Sequence, residues 1–188
     1  MKTKVKSILS IALGVGLLAA AIPTASAHSD GFTPQLTTAL VDPYLAIQKG
    51  LAADDLAAAK KGAAAFLEAM KAAPSTGDAK EESEALIAPV KGIAESTDIA
   101  TARKGLWSLT QEFTTLVKHM GTTRGTPLYL VHCPMAFGNA GADWLQADKS
   151  VTNPYFGASM LRCGSVKAEV SPQGTQTGKT ESPQGSHH

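Results

Sequence analysis

Residues 99–120 read Ile-Ala-Thr-Ala-Arg-Lys-Gly-Leu-Trp-Ser-Leu-Thr-Gln-Glu-Phe-Thr-Thr-Leu-Val-Lys-His-Met, with apolar side chains at three- and four-residue steps. Ile99, Ala102, Leu106, Leu109, Phe113, Leu116, Val117 and Met120 fall on one stripe of a helix with 3.6 residues per turn, so the stretch predicts a long amphipathic helix. The same step recurs upstream. Leu36, Leu40, Tyr44, Ile47 and Leu51 make one stripe, and Leu56, Ala59, Ala63, Phe66 or Leu67, and Met70 a second. Ile87, Val90 and Ile93 make a shorter one. Residues 33–121 therefore read as four helices, and connections this short make sequential helices antiparallel neighbours. The expected fold is mainly α, an up-and-down four-helix bundle.

The helix ends carry their own signals. Thr33 before Pro34 suits an N-cap with proline in the first turn, Asp54 is expected to cap the second helix, and Thr97 or Asp98 the fourth. Pro74, Gly77 and Gly121 are expected to close helices two and four. Pro43 and Pro89 fall inside helices one and three, where each removes a backbone donor and predicts a kink or a later start.

After Gly121 the helical period stops and an irregular Cys/Met-containing segment begins. Leu128-Tyr129-Leu130-Val131 is a β-favouring run, and residues 165–170 (Ser-Val-Lys-Ala-Glu-Val) alternate polar with apolar. Paired antiparallel as a short two-stranded ribbon, these runs would bring Cys133 and Cys163 together at one end. Between them Gly138, Gly141, Asn153-Pro154 and Gly157 supply turn chemistry.

The two ends read differently from the middle. Lys2, Lys4 and Lys6, then an apolar run from Ile8 to Ile22, then Ala25-Ser26-Ala27 have the order of a secretory signal peptide in residues 1–27, cleaved after Ala27. That run is short for a membrane anchor, so the expectation is a periplasmic or secreted protein with no membrane insertion after cleavage. Residues 171–188 repeat Ser-Pro-Gln-Gly and hold no core-forming apolar residue, the composition of a disordered tail. The domain itself is expected over 28–170.

Loss of the three signal lysines leaves 14 basic against 16 acidic residues, a charge of about −2. Such a balance argues against nucleic acid or anionic lipid as partner, since both need a basic field.

The chemistry is concentrated in 33 residues, His132-Cys133-Pro134-Met135 to Met160-Leu161-Arg162-Cys163-Gly164, which hold both cysteines and two of the five methionines. Cys133 and Met135 share a side if the segment is extended. Met160 and Cys163 share a face if theirs is a helical turn. Two thiolates and two thioethers form a soft donor set, which favours Cu(I) or Ag(I) over Mg²⁺, Ca²⁺ or zinc. His132 and His119 are further candidate ligands, although His132 points away from Cys133 in a regular strand. His28, first in the mature chain, offers an amine and an imidazole to Cu(II). The competing reading is a Cys133 to Cys163 disulfide, the default for two cysteines in an oxidising compartment.

Pro127-Leu128-Tyr129, Cys133-Pro134-Met135-Ala136-Phe137, Gly141-Ala142-Asp143-Trp144-Leu145, Asn153-Pro154-Tyr155-Phe156-Gly157 and Met160-Leu161-Arg162-Cys163-Gly164, in this order, resemble the DUF3347 family. Weaker support comes from Tyr44-Leu45-Ala46, Leu51 to Asp55 and Arg103. Members are exported helical domains, often appended to adaptor subunits of copper and silver efflux pumps. The resemblance, over about Pro34 to Val170, implies a role in heavy-metal handling and suggests Cys133, Met135, Met160 and Cys163 as binding positions.

Taken together these features predict an exported copper-binding protein that sequesters the ion or passes it to an efflux adaptor or another envelope copper protein. The alternative is a disulfide-stapled interaction module without metal. No nucleophile elbow, Ser-His-Asp order, placed carboxylate pair or phosphate loop stands in the chain, so an enzyme is not expected.

Overall fold

The structure is a computed structural model that describes residues 31–170. The expected signal peptide, His28 and the expected tail lie outside the described residues. Four helices, α1 (Pro34–Ala52), α2 (Leu56–Ala69), α3 (Asp78–Glu95) and α4 (Ile99–Met120), are followed by strands β1 (Leu128–Cys133), β2 (Ala142–Gln146) and β3 (Ser165–Val170). Single 3₁₀ turns lie at Met70–Ala72 and Gly157–Met160, and one short helical turn at Ala136–Asn139. Each long helix packs against the next, and α4 returns to α1, the closed ring of an up-and-down bundle.

Caps fall where donors would otherwise be orphaned. Thr33 Oγ1 accepts from Leu36 N at 3.1 Å, and Asp98 from Thr101 N at 2.8 Å. The cap of α2 is Asp55, accepting from Ala58 N at 2.9 Å, and not Asp54. Asp54 turns into the left-handed region (φ 58°) and spends its carboxylate on Arg103 and on Ala158 N. Gly77 precedes α3 rather than closing α2, which runs out through the 3₁₀ turn before Pro74. Pro43 and Pro89 lie within continuous helices, so α3 extends nine residues ahead of the apolar stripe that announced it.

The expected two-stranded ribbon is three-stranded, in the order β2-β1-β3, and all pairs are antiparallel. β1 pairs with β3 from Leu128↔Val170 to His132↔Ser165, which sets Cys133 and Cys163 at the same end. β2, which alternation did not announce, lies on the other side of β1, from Tyr129↔Gln146 to Cys133↔Ala142. Trp144 and Leu145 are fully buried, and they extend the bundle core under the sheet in one continuous cluster. Tyr44 of α1 fastens the two layers: its hydroxyl accepts from Leu145 N at 3.1 Å and meets Thr110 Oγ1 at 2.7 Å. Burial pushes that phenol up to about 12. Among the described residues no helix is long and apolar enough to cross a membrane.

Candidate metal centre

Cys133 ends β1 in a fully buried position, and Cys163 stands half-buried just before β3. Their sulfurs lie 2.9 Å apart as free thiols. The Cys163 thiol is pushed above its ordinary value, first by the hydrogen bond with Cys133, then by burial and by the repulsion of a second thiolate.

Local geometry differs on the two sides of the pair. Met135 is not extended beyond Cys133: β1 stops at Cys133, and Met135 adopts a helical φ of −89° and ψ of −10° as the chain turns at Pro134. The turn then carries three successive left-handed residues, Phe137 (φ 52°), Gly138 (φ 70°) and Asn139 (φ 71°). On the other side the expected turn is present, since Cys163 N donates to Met160 O at 2.9 Å. The described methionines divide into two kinds. Met70 and Met120 pack in or against the core, whereas Met135 is 46% exposed and Met160 is half-buried, and neither joins the core cluster.

The histidines do not join the cysteines. His132 projects away, as alternation along a strand requires, and its Nδ1 meets Asp143 Oδ1 at 2.7 Å. His119 is exposed in the last turn of α4. Among the described residues no three His, Cys, Asp or Glu side chains form a cluster, so further ligands to the cysteine pair would come from Met135 and Met160.

One positioning residue escaped the sequence reading. Asn153 is fully buried and donates from Nδ2 to Cys163 O at 2.8 Å, while its Oδ1 accepts from Tyr155 N at 2.8 Å and its own N–H donates to Leu161 O at 2.8 Å. It clamps the loop before Cys163 onto the residues that follow. The Asn-Pro dipeptide signals a turn, and only burial reveals the clamp. Gly164 (φ 132°) completes the approach: a Cβ there would lie 2.9 Å from His132 O and 2.8 Å from Trp144 Cη2, so only glycine lets the chain pass from Cys163 into β3.

The bundle helices are the part of the chain with recognisable kin. The family model DUF3347, described as a protein of unknown function, matches residues 40–125. Over that span the chain is similar to DUF3347. No curated protein and no solved structure matches the chain. The DUF3347 match runs from within α1 to the loop after α4 and ends before β1. Both cysteines, and the motifs from Pro127 onward, lie beyond it.

Proposed function

We propose that this protein is an exported copper-binding protein with a binding, not a catalytic, role. It holds Cu(I), or Ag(I), on Cys133 and Cys163 with Met135 and Met160 as thioether donors, and sequesters the ion or hands it to an efflux adaptor or other envelope copper protein. The observation that supports it most is the convergence of two free thiols 30 residues apart in sequence, flanked by the two described methionines that stay out of the core. Metal–thiolate bonds near 2.3 Å put two sulfurs of a tetrahedral ion about 3.7 Å apart. The pair at 2.9 Å would open by roughly 0.8 Å, within the reach of two side-chain rotations.

The test is Cu(I) or Ag(I) loading of the reduced protein, followed by stoichiometry and competition with a chelator. One ion per chain is expected, with loss of tight binding in Cys133→Ser and a weaker ion in Met160→Leu. Equal uptake by all three proteins refutes the site.

The same sulfur distance favours one second reading. A disulfide at about 2.05 Å needs the pair to close by roughly 0.9 Å, and closing a loop of this length stabilises a fold by about 3 to 4 kcal/mol. That reading makes the chain a stapled interaction module. Thiol counting on protein taken from its native compartment separates them: oxidised thiols that persist with copper present support the staple.

A further inference from the structure

A second groove, of about 400 Å³, lies between α4 and the β1–β2 side of the sheet. Trp107, Gln111, Thr114 and Lys118 of α4 face His132 and Asp143 across it. Neither cysteine lines it, and the proposed copper site makes no use of it.

Three features mark it as built for a ligand. First, Thr114 is 8% exposed and its hydroxyl has no hydrogen-bond partner. Thr110, one turn earlier and also on the groove wall, is bonded to both Leu106 O and Tyr44, whereas Thr114 is not. Second, the His132 ring is fixed. A carboxylate only accepts, so Asp143 holds the proton on Nδ1 and leaves Nε2 for another partner. Gly141 (φ 79°) keeps that side of the ring clear, because a Cβ there would stand 3.1 Å from Nε2 and 2.8 Å from Cε1. Third, Trp107 is 40% exposed yet braced from behind by the Phe137 ring at 5.4 Å, a rigid apolar platform at one end of the groove.

The groove is also polarised. Phe137 links Trp107 to Tyr155, whose hydroxyl donates to the Asp143 backbone carbonyl, so Trp107 and Asp143 are tied to one end by a chain of aromatic contacts. Lys118 stands eleven residues further along α4, about 16 Å along the axis and one turn beyond Thr114. A negative group is repelled from the first end and drawn to the second.

We infer that this groove binds an elongated aryl carboxylate, its ring on Trp107 and its carboxylate on Lys118 and the Thr114 hydroxyl. Thr114 lies seven residues from Trp107, about 10 Å along the helix, so ring and carboxylate must be separated by a short chain. His132 Nε2 and the Gln111 amide serve polar groups between them.

The test uses 4-phenylbutyrate and its primary amide as probes on the full chain, read by the backbone amide signals of the groove residues Gln111, Ala142 and Asp143 in a proton–nitrogen NMR titration. Saturable binding of the carboxylate is expected, with about ten-fold weaker binding of the amide, since one charge-assisted contact is lost. Lys118→Met and Trp107→Leu should each weaken the carboxylate by a similar factor. Both positions are exposed, so these variants keep the fold. No saturable shift at millimolar probe, equal binding of the amide, or an unchanged affinity in Lys118→Met would overturn the assignment. None of these readouts depends on metal, so failure here and failure of the copper site are separate results.

Discussion

Replacing Asn153 with alanine tests whether the cysteine pair is held by the loop that precedes Cys163. The side chain is fully buried, and its amide ties Cys163 O, ten residues on, at 2.8 Å to Tyr155 N, two residues on, at 2.8 Å. Alanine leaves both backbone groups without that partner. An unsatisfied buried group costs about 1–3 kcal/mol, and partial access of water at the half-buried Cys163 puts the total near 2–4 kcal/mol. For a domain of this size that corresponds to a fall in Tm of about 6–14 °C. Urea and thermal unfolding of the reduced protein measure it directly. Asn153→Asp keeps the acceptor to Tyr155 but loses the donor to Cys163 O, so it should also be destabilised, and both variants should weaken Cu(I) at the proposed site. A loss below about 1 kcal/mol in Asn153→Ala, or undiminished metal affinity in both variants, would refute the clamp.

Gly164→Ala forces a Cβ against His132 O and Trp144 in a backbone region that alanine avoids, and should cost about 2–4 kcal/mol in denaturant unfolding with the β1–β3 register loosened. Tyr44→Phe removes the hydroxyl shared by Thr110 and Leu145 N; about 1–3 kcal/mol of stability should disappear. The reduced protein should also weaken in alkali. The Cys163 thiol is raised in the fold, foremost by its hydrogen bond with Cys133, so the unfolded chain ionises first. The contribution is complete below about pH 8.5 and lost as pH climbs through the folded value. Cys163→Ser should flatten that alkaline slope, and an identical slope in wild type and variant would contradict it.

The bundle was legible because its information is local. A stripe such as Leu106, Leu109, Phe113 and Val117 declares a helix without reference to anything outside it, and all four side chains are buried as that stripe requires. Helix starts were legible to within a residue where a capping side chain stands alone, as at Thr33. At Asp54-Asp55 two carboxylates compete, and the choice is made by Arg103 and Ala158 from distant parts of the chain. β2 was hidden for a related reason. Its Trp144, Leu145 and Gln146 are consecutive buried residues, because the strand packs on the bundle with one face while Gln146 turns inward to bond Asp148 O, Ser150 O and Thr152 N, so no polar–apolar alternation exists to be read. At the sulfur site, sequence spacing brought the right cysteines together through the β1–β3 pairing. It misjudged Met135, because the extended geometry that Pro134 favours for Cys133 ends one residue later.

The loop that delivers Cys163 owes its shape to the bundle more than to itself. Between β2 and the 3₁₀ turn it has no regular structure, yet the segment leading to Cys163 is tied at successive points by side chains of the bundle: Gln48 Nε2 of α1 donates to Thr152 O at 2.7 Å, Arg103 Nε of α4 to Pro154 O at 2.8 Å, and the carboxylate of Asp54, in the turn between α1 and α2, accepts from Ala158 N at 2.8 Å. Arg103 in turn holds Asp54 at 2.6 Å, and that bond, after the one from Ala158 N, holds the Asp54 carboxyl below its usual range. Each tie joins a bundle residue inside the DUF3347 span to a segment outside it. The two segments therefore form one structural unit. A helix variant such as Arg103→Met, more than 20 residues from either cysteine in sequence, would release the Pro154 and Asp54 contacts together and let Cys163 drift from Cys133. Whichever partner the pair takes, a soft cation or each other's sulfur, its strength is set by how firmly α1 and α4 hold that loop.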